Sequence, residues 1–220
     1  MIEGTDGSGK TTQFEKLVLR IEKPVALFDF PQYSKPSAYF VEKYLNGGYG
    51  TLEQIGPKLG SVFYAVDRFD AGFAIRKAEE EGKICISNRY IGSNMGHQGG
   101  KIMGKKERKE YFEWLYELEF GILGIPKPDI NIILHMPAEM AQKMVDKKSA
   151  NMRQYAGGKK RDLHEADLGH LKHAEEVYLE IAELFPENFV VVECVENGKL
   201  LSVDEIHEKV WAVVKKVITE

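Results

Sequence analysis

Four short runs of nearly continuous apolar residues recur along the chain, separated by longer stretches of mixed character. They are PVALFDF (24–30), KICISN (83–88), DINIILHM (129–136) and NFVVVEC (188–194). Unbroken apolar character suits strands that are covered on both faces, as in a parallel sheet. The three residues before Gly4 leave room for one further, short strand.

The stretches between these runs carry apolar residues at helical spacing. The clearest examples are Phe14, Leu17, Val18 and Ile21 and, near the end, Ile206, Val210, Val213 and Val217. Gly82 stands where a helix C-cap is expected, and glycine pairs at 47–48, 99–100 and 157–158 predict loops. Alternating strands and helices predict an α/β fold: a five-stranded parallel sheet with helices on both faces and ligands at the carboxyl ends of its strands.

Length and charge narrow the class of protein. A chain of 220 residues fits one domain, 1–220, because single cores grow to roughly 250 residues before chains divide. No apolar run is long enough for a bilayer, and a net charge of -4 argues against nucleic acid or an anionic membrane as partner. Cys85 and Cys194 fall in predicted strands, which favours buried thiols in a reducing compartment over a disulfide. With no N-terminal signal sequence, we expect a cytoplasmic protein.

Residues 4–11, GTDGSGKT, match the phosphate-binding pattern G-x-x-x-x-G-K-S/T. The match follows a strand fragment and opens a helix, where glycines let successive backbone N–H groups face phosphate oxygens. In this pattern Lys10 reaches the β- and γ-phosphates, and the hydroxyl of Thr11 binds Mg²⁺. The predicted ATP-binding residues are Gly4, Asp6, Gly7, Ser8, Gly9, Lys10, Thr11 and Thr12.

A cluster of four cations surrounds the glycine pair at 157–158. The segment RQYAGGKKRD (153–162) contains Arg153, Lys159, Lys160 and Arg161. Taken alone, such a run is most often a solvated surface loop. In an acidic chain that also has a phosphate-binding loop, local positive charge instead suggests a small anionic ligand.

Six segments, in order along nearly the whole chain, resemble the thymidylate kinase family. They are EGTDGSGKTT, FDFPQYSKPS, YAVDRFD, SNRYIGSNMGHQGG, IPKPDI and RDLHEAD. Many enzymes share the phosphate-binding loop, whereas the combination of DR at 67–68, RYxxS at 89–93 and PKPD at 126–129 is much narrower. The resemblance implies a three-layer P-loop kinase fold that transfers a phosphoryl group from ATP to dTMP, with Mg²⁺ as cofactor.

The resemblance also implies the residues of the acceptor pocket. Tyr64 would stack on thymine, Arg68 would hydrogen-bond the base, and Arg89 would clamp the acceptor phosphate. Asn94 would read the thymine edge, and His97 takes a place where relatives carry a tyrosine or phenylalanine beside the sugar. The full set implied for dTMP is Asp6, Phe30, Tyr33, Tyr64, Arg68, Arg89, Ser93, Asn94, His97 and Gln98.

Each of these residues also has a purely structural interpretation. Tyr64 lies among apolar residues at helical spacing and could belong to the core. Arg68 could be no more than an ion-pair partner of Asp67 or Asp70 on the same helix. Asn94 could cap a turn, and His97 could be a surface residue. Their joint occurrence in the family's order favours the functional interpretation.

The magnesium ligands that the resemblance implies are Thr11, Asp6 and Glu165. Two positions depart from the family pattern. Relatives commonly carry aspartate where this chain has Asn88, a change that removes a charge near the metal. Some relatives carry arginine where this chain has Gln32, which weakens the case for a phosphate clamp in that loop.

Phosphoryl transfer spreads negative charge over the moving group, so a cation beyond the loop lysine and Mg²⁺ is expected. Some thymidylate kinases carry a basic residue inside the phosphate loop, and others have glycine there and place arginines in a flexible lid. This chain has Gly7. We therefore expect a lid at about 149–161 that closes over ATP and excludes water. The predicted catalytic residues are Lys10, Arg89, Arg153 and Arg161.

Two other functions remain open at this point. A deoxynucleoside kinase shares the loop, the sheet and the lid, but its hydroxyl acceptor requires a carboxylate base, which Asn88 does not supply. A nucleotide-binding switch would have no use for base-reading residues. The resemblance further implies a homodimer, formed through helices on one side of the sheet, that binds ATP and dTMP but neither nucleic acid nor membrane.

Overall fold

The computed structural model describes residues 1–33, 35–155 and 168–219, without the side chains of 52–53, 147–155 and 170. The strands are β1 (Ile2–Glu3), β2 (Val25–Asp29), β3 (Ile84–Asn88), β4 (Asn131–His135), β5 (Phe189–Glu193), β6 (Val195–Glu196) and β7 (Lys199–Leu200). The helices are α1 (Lys10–Arg20), α2 (Tyr39–Leu45), α3 (Leu52–Glu80), α4 (Ile91–Gly99), α5 (Lys105–Tyr116), α6 (Ala138–Tyr155), α7 (Leu168–Leu184) and α8 (Val203–Thr219). A 3₁₀ turn (Pro36–Ala38) precedes α2, and a π-helical segment (Glu117–Ile122) follows α5.

Five strands form a parallel sheet in the order β2–β3–β1–β4–β5, as predicted, and β6 pairs with β7 in a small antiparallel sheet. β1 has only two residues but lies at the centre of the large sheet. Its Ile2 pairs with Asn88 of β3 on one side and with Ile132 of β4 on the other. The strand order changes direction at β1, so a ligand crevice is expected beyond the carboxyl ends of β1 and its neighbours.

Successive residues of β4 face opposite sides of the sheet and belong to different cores. Ile133 packs in the larger core, together with residues of α3, α4, α5 and α7. Ile132 and Leu134 pack in the smaller core, which joins the sheet to α1 and α8. The molecule therefore has three layers, with helices on both faces of the sheet, and the predicted α/β class is confirmed.

The predicted glycine positions have mixed outcomes. Gly82 follows the end of α3 with φ 70° and donates its amide to the carbonyl oxygen of Glu79 (2.9 Å), as expected of a C-cap glycine. The loop predicted at 99–100 begins one residue later, at Gly100, because Gly99 is the last residue of α4. A Cβ on Gly99 would lie 2.9 Å from the ring of Phe112, so this glycine permits α4 to pack closely on α5. The pair at 157–158 lies outside the described residues.

Two irregular helices border the large core. α3 is interrupted at Gly56 (φ 69°, ψ 170°), directly before Pro57, whose ring and missing N–H are incompatible with a regular helix interior. α5 continues into the π-helical segment Glu117–Ile122, and such segments shift the side chains that follow relative to a regular helix. Glu119 of this segment is fully buried.

None of the helices in the described part of the chain is long and apolar enough to cross a membrane. Both cysteines are free thiols: Cys194 is buried and Cys85 is partly buried. Burial raises the pKa of the Cys194 thiol to about 12, so this group is an unreactive part of the core.

Candidate active site

Residues 4–9 form the turn between β1 and α1, and the backbone of this turn requires glycine. Gly4, Gly7 and Gly9 have φ values of 136°, 88° and 91°, a region that residues with a Cβ rarely adopt. A Cβ on Gly4 would lie 2.7 Å from the carbonyl oxygen of Leu134, and one on Gly7 would collide with the backbone of Ala141. The turn can therefore bring its amides close to a phosphate only because these positions lack side chains.

Polar groups suited to a phosphate chain line this turn. Lys10 is buried, and its Nζ donates to the carbonyl oxygens of Gly4 (3.0 Å) and Thr5 (2.8 Å). The hydroxyls of Thr5 and Ser8 are buried, and no hydrogen-bond partner reaches them from the described residues. Because an unpaired buried hydroxyl is costly, these groups fit a site that is completed by a bound anion.

Thr11 and Thr12 are exposed in the first turn of α1. Across residues 1–33, 35–155 and 168–219, no three acidic, histidine or cysteine side chains converge to hold a metal ion. Mg²⁺ commonly uses one or two protein oxygens together with substrate phosphates and water. The Thr11 hydroxyl suits that kind of site, whereas Glu165, another predicted ligand, lies outside the described residues.

Arg89 connects the phosphate loop to a neighbouring cavity. It directly follows β3 and has φ 65°, in the left-handed region that non-glycine residues seldom occupy. Its guanidinium forms an ion pair with Asp6 of the loop and also contacts Ser93 Oγ (3.2 Å) and His97 Nε2 (3.3 Å) of α4. The strained backbone thus directs one long cation between the loop and α4.

Burial opposes both charges of the Arg89–Asp6 pair, but the attraction between them outweighs it. Burial raises the pKa of Asp6, whereas the charges of Arg89 and Lys10 lower it, with the net result well below the usual range. Burial lowers the pKa of Arg89, and Asp6 more than reverses this effect. Both side chains are therefore ionised at neutral pH, and the residue predicted to clamp the acceptor phosphate is a permanent cation.

A cavity of about 270 Å³ opens beside Arg89, at the carboxyl ends of β2 and β3. All ten residues implied for dTMP binding line it: Asp6, Phe30, Tyr33, Tyr64, Arg68, Arg89, Ser93, Asn94, His97 and Gln98. The remaining lining residues are Asp29, Pro31, Leu45, Asn88 and Tyr90. Residues that lie up to 92 positions apart in the sequence are thus brought to one site next to the phosphate loop.

Aromatic side chains form part of the cavity wall. Tyr64 of α3 is half-buried and meets the ring of Tyr44 edge to face at 6.3 Å. It lines the cavity, so the alternative that it belongs only to the core is wrong. Tyr33 is more than half exposed at the rim. His97 packs edge to face on Tyr178, with ring centroids 6.0 Å apart.

Arg68 and Asn94 lie at the buried end of the cavity. Arg68 donates to Glu119 through Nε (2.7 Å) and Nη2 (2.5 Å), and both side chains are almost completely buried. The alternative pairing with Asp67 or Asp70 is therefore wrong. Asn94 lies within α4, where it donates to the carbonyl oxygen of Ser61 (3.2 Å), so the alternative of a turn cap is also wrong.

Gln32, at one of the two positions that depart from the family pattern, points away from the cavity. Its backbone amide and its side-chain amide donate to the Asp67 carboxylate at 2.8 and 3.2 Å. Ser37 Oγ donates to the same carboxylate at 2.6 Å. Gln32 is buried and does not line the cavity. It fixes the loop after β2 to α3.

Asn88, at the other departure, contacts a carboxylate that the sequence analysis did not consider. Asn88 and Asp29 are register partners on β3 and β2, and Asn88 Nδ2 donates to Asp29 Oδ1 at 2.8 Å. Burial raises the pKa of Asp29, which stays above its usual value despite the hydrogen bond from Asn88 and the charges of Arg89 and Lys10. A carboxyl group therefore lies at this edge of the cavity, on the strand next to position 88.

Sequence reasoning missed two other buried carboxylates that organise the site. Glu3 of β1 accepts hydrogen bonds from the Tyr90 amide (2.7 Å) and from Ser93 Oγ (2.6 Å), which holds the turn after β3. Burial raises its pKa. Glu119 holds Arg68 in the same way. A signal existed in both cases, because each acidic residue interrupts an otherwise apolar pattern: a buried strand for Glu3 and the helical stripe of Phe112 and Leu115 for Glu119.

The predicted lid cannot be assessed in the same way. Arg161 lies outside the described residues, and Arg153 lies on α6 where the side chains are not described. The lid at about 149–161 therefore stays a prediction.

Comparison with known proteins assigns the family. The sequence profile of the family described as thymidylate kinase matches residues 2–209. A thymidylate kinase of Mycobacterium tuberculosis is 31% identical over 185 residues, covering 82% of this chain and 84% of the relative. A probable thymidylate kinase of Pyrococcus abyssi is 27% identical over 219 residues, covering 98% and 94%. A thymidylate kinase structure from Candida albicans matches with a TM-score of 0.70 at 22% identity, covering 98% of this chain and 89% of that one, which shows the shared fold. The chain belongs to the thymidylate kinase family.

Proposed function

We propose that this protein transfers the γ-phosphoryl group of ATP to dTMP, giving dTDP and ADP for dTTP synthesis. The observation that carries the proposal is the single cavity, beside the phosphate loop, that is lined by all ten residues implied for dTMP. Arg89 stands between the loop and this cavity. One cation can there contact an acceptor phosphate while the loop holds the donor.

The proposed reaction requires position and charge more than proton transfer. A nucleoside monophosphate has a second phosphate pKa near 6, so its attacking oxygen is largely ionised at pH 7 and needs no base. The transition state is loose, and its charge is spread over the moving group, where cations stabilise it. Lys10 and Arg89 supply positive charge on the two sides of that group. Mg²⁺, held by Thr11 and the phosphates, would neutralise charge on the β- and γ-oxygens.

A lid at about 149–161 is proposed to supply the further cation. Gly7 supports this, because a side chain at that position would collide with the backbone of Ala141. The phosphate loop therefore has no room for a basic residue of its own at position 7. Ala141 belongs to α6, the helix that continues to residue 155 and carries Arg153. The cation cluster thus begins on the element that packs against the loop.

One observation favours a deoxynucleoside kinase as a second candidate. Such an enzyme needs a carboxylate base near the acceptor hydroxyl, and Asp29 lines the cavity beside Asn88. Arg89 in the same cavity supports a phosphorylated acceptor instead, because a nucleoside would offer that cation no anion. The family assignment supports the same choice.

A homodimer through α3 is part of the proposal. Large apolar side chains of α3 are exposed at helical spacing: Leu59 (49%), Val66 (37%), Phe69 (38%) and Phe73 (60%). Contiguous exposed apolar surface of this kind is typical of protein interfaces. A second copy related by a twofold axis would cover it with the same residues.

The two free cysteines are compatible with the reducing cytoplasm that we expect for the enzyme.

The first prediction concerns the acceptor. With ATP and Mg²⁺, dTMP should be the best acceptor, and dUMP should have a kcat/KM lower by only about fivefold, since one methyl contact contributes about 1 kcal/mol. For dCMP the loss should be about 100-fold or more, because its amino group would face the donors of Arg68. Thymidine should be poorest. A coupled assay of ADP release measures all four. Thymidine outperforming dTMP would support the nucleoside kinase with Asp29 as base, and ADP release without acceptor would support a switch.

The second prediction concerns the lid. Arg153→Met and Arg161→Met each keep apolar bulk but remove a charge, so each should lower kcat by roughly 10- to 1000-fold and leave the KM for dTMP nearly unchanged. Arg20→Met is the matched control, because Arg20 is paired with Glu208 on the surface between α1 and α8. Wild-type turnover in both lid variants would show that the segment is an ordinary surface loop.

The third prediction concerns Asn88 and Asp29. Asn88→Asp would set two carboxylates in contact and raise the pKa of the pair above its unfolded value. The folded state would then bind more protons than the unfolded state, so the variant should lose stability as pH rises from 5 to 8, by about 1 to 3 kcal/mol relative to the parent. Urea unfolding at both pH values measures this difference. The exchange variant Asp29→Asn/Asn88→Asp should recover the loss, and equal stability of all three proteins would contradict the contact.

The fourth prediction concerns the dimer. Phe73→Asp places a charge at the most exposed residue of the α3 surface and should convert the protein to a monomer in sedimentation velocity at micromolar concentration. Leu19→Asp is the control, since Leu19 is 86% exposed on α1, on the other side of the sheet, and its replacement should leave the dimer intact. A parent protein that is monomeric, or dissociation by Leu19→Asp instead, would refute the α3 interface.

A further inference from the structure

Glu119 is a fully buried carboxylate whose partners belong to the acceptor cavity. Its two oxygens accept from Arg68 Nε and Nη2 at 2.7 and 2.5 Å, and its Oε1 also accepts from Asn94 Nδ2 at 3.3 Å. A buried charge is strongly unfavourable unless it is paired and hydrogen-bonded. Glu119 therefore restrains Arg68 and Asn94 together, and both of these side chains line the cavity.

The surroundings of Asn94 determine which end of its amide is available. Nδ2 faces the carbonyl oxygen of Ser61 (3.2 Å) and the Glu119 carboxylate (3.3 Å), and both of these groups can only accept hydrogen bonds. The amide nitrogen must therefore face them. Oδ1 is the other end, and it is buried without a hydrogen-bond partner among the described residues. Because an unmatched buried acceptor is costly, this oxygen points to a ligand that brings a donor.

Arg68 has N–H donors that its contacts with Glu119 and Tyr90 do not use. Glu119 uses Nε and one N–H of Nη2, and among the described residues Nη1 reaches only the carbonyl oxygen of Tyr90, at 3.5 Å. A guanidinium has five N–H donors and no acceptor. The buried end of the cavity thus offers donors from Arg68 beside an acceptor from Asn94.

We propose that Glu119 is a positioning residue that sets this donor–acceptor pattern and thereby decides which pyrimidine the enzyme accepts; the proposal rests on dTMP being the acceptor. A pyrimidine-2,4-dione carries a carbonyl acceptor at position 4 beside a donor at N3, which complements Arg68 and Asn94. Cytosine carries an amino donor at position 4 beside an acceptor at N3. The amino group would face the N–H donors of Arg68, and N3 would face the acceptor oxygen of Asn94. Rejection of cytosine therefore requires the Asn94 amide to stay in one orientation.

Replacing the carboxylate by an amide removes that restraint. Glu119→Gln keeps the shape but replaces one acceptor oxygen by an NH2 group, which faces Arg68 Nε in one orientation and both Arg68 Nη2 and Asn94 Nδ2 in the other, and all three of these groups are donors. Either orientation frees Arg68 or Asn94 to move away from the geometry that suits thymine. The pattern of donors and acceptors that Arg68 and Asn94 present to the base should become mixed, while the structure of the phosphate loop stays the same.

The experiment measures kcat/KM for dTMP and dCMP in the parent, in Glu119→Gln and in a matched control. Glu119→Gln should lower the dTMP-to-dCMP ratio at least tenfold, mainly through a higher KM for dTMP, with the KM for ATP unchanged. Calorimetry without ATP should show that the difference in affinity between dTMP and dCMP also becomes smaller in Glu119→Gln. The control is Glu180→Gln, which alters another partly buried pair, Arg108–Glu180 (Nε to Oε2 2.8 Å), between α5 and α7 and away from the cavity. It should leave the ratio unchanged.

The outcomes separate this proposal from the proposed function. A parent that does not phosphorylate dTMP, or that does not prefer it to dCMP, would refute the function itself. A parent with that preference and a Glu119→Gln variant that keeps it would refute the role of Glu119. Should Glu119→Gln fail to fold, Glu119→Asp keeps the charge but withdraws it by one methylene. The proposal then requires the same lowered ratio from Glu119→Asp, and an unchanged ratio overturns it.

Discussion

One ion pair, Arg89–Asp6, holds the two halves of the site together. Asp6 belongs to the turn after β1, and Arg89 belongs to the turn after β3, the strand that pairs with β1 at Ile2. A parallel sheet brings these turns to the same edge, and the pair fixes their separation. The strained φ of Arg89 persists because Asp6, Ser93 and His97 all hold its guanidinium. The phosphate loop and the neighbouring cavity are therefore held together by this ion pair.

Buried carboxylates hold the other loops and side chains of the site in place. Glu3 holds the turn after β3, Asp67 holds the loop after β2, and Glu119 holds Arg68 in the middle of α3. None of the three lines the cavity. Each is buried and each is engaged by several donors, which is the condition under which a buried charge is tolerated. These buried carboxylates therefore orient side chains that line the cavity without lining it themselves.

The sequence predicted the sheet and the phosphate loop because both depend on local patterns. Apolar runs define strands buried on both faces, and the spacing of Gly4, Gly7, Gly9 and Lys10 defines the loop. The resemblance to a family predicted the cavity residues, which lie far apart in the sequence. Asp29 was missed because pairing between distant residues leaves no periodic signal, and for Glu119 the interrupted apolar stripe marks a buried acid but not its partners. Gly99 was misjudged because a glycine required by helix packing looks the same in sequence as a glycine required by a turn.

Asn88 and Asp29 form a hydrogen-bonded pair at the edge of the cavity, across two neighbouring strands. Position 88 is neutral, but its register partner on β2 carries a carboxylate within hydrogen-bond distance. Two carboxylates at these positions would repel each other. With Asp29 present, an amide at position 88 is therefore more favourable than a second carboxylate. Asp29 thus places a carboxyl group at the same edge of the sheet as Asn88, near the cations Arg89 and Lys10, whose charges oppose the increase that burial causes in its pKa.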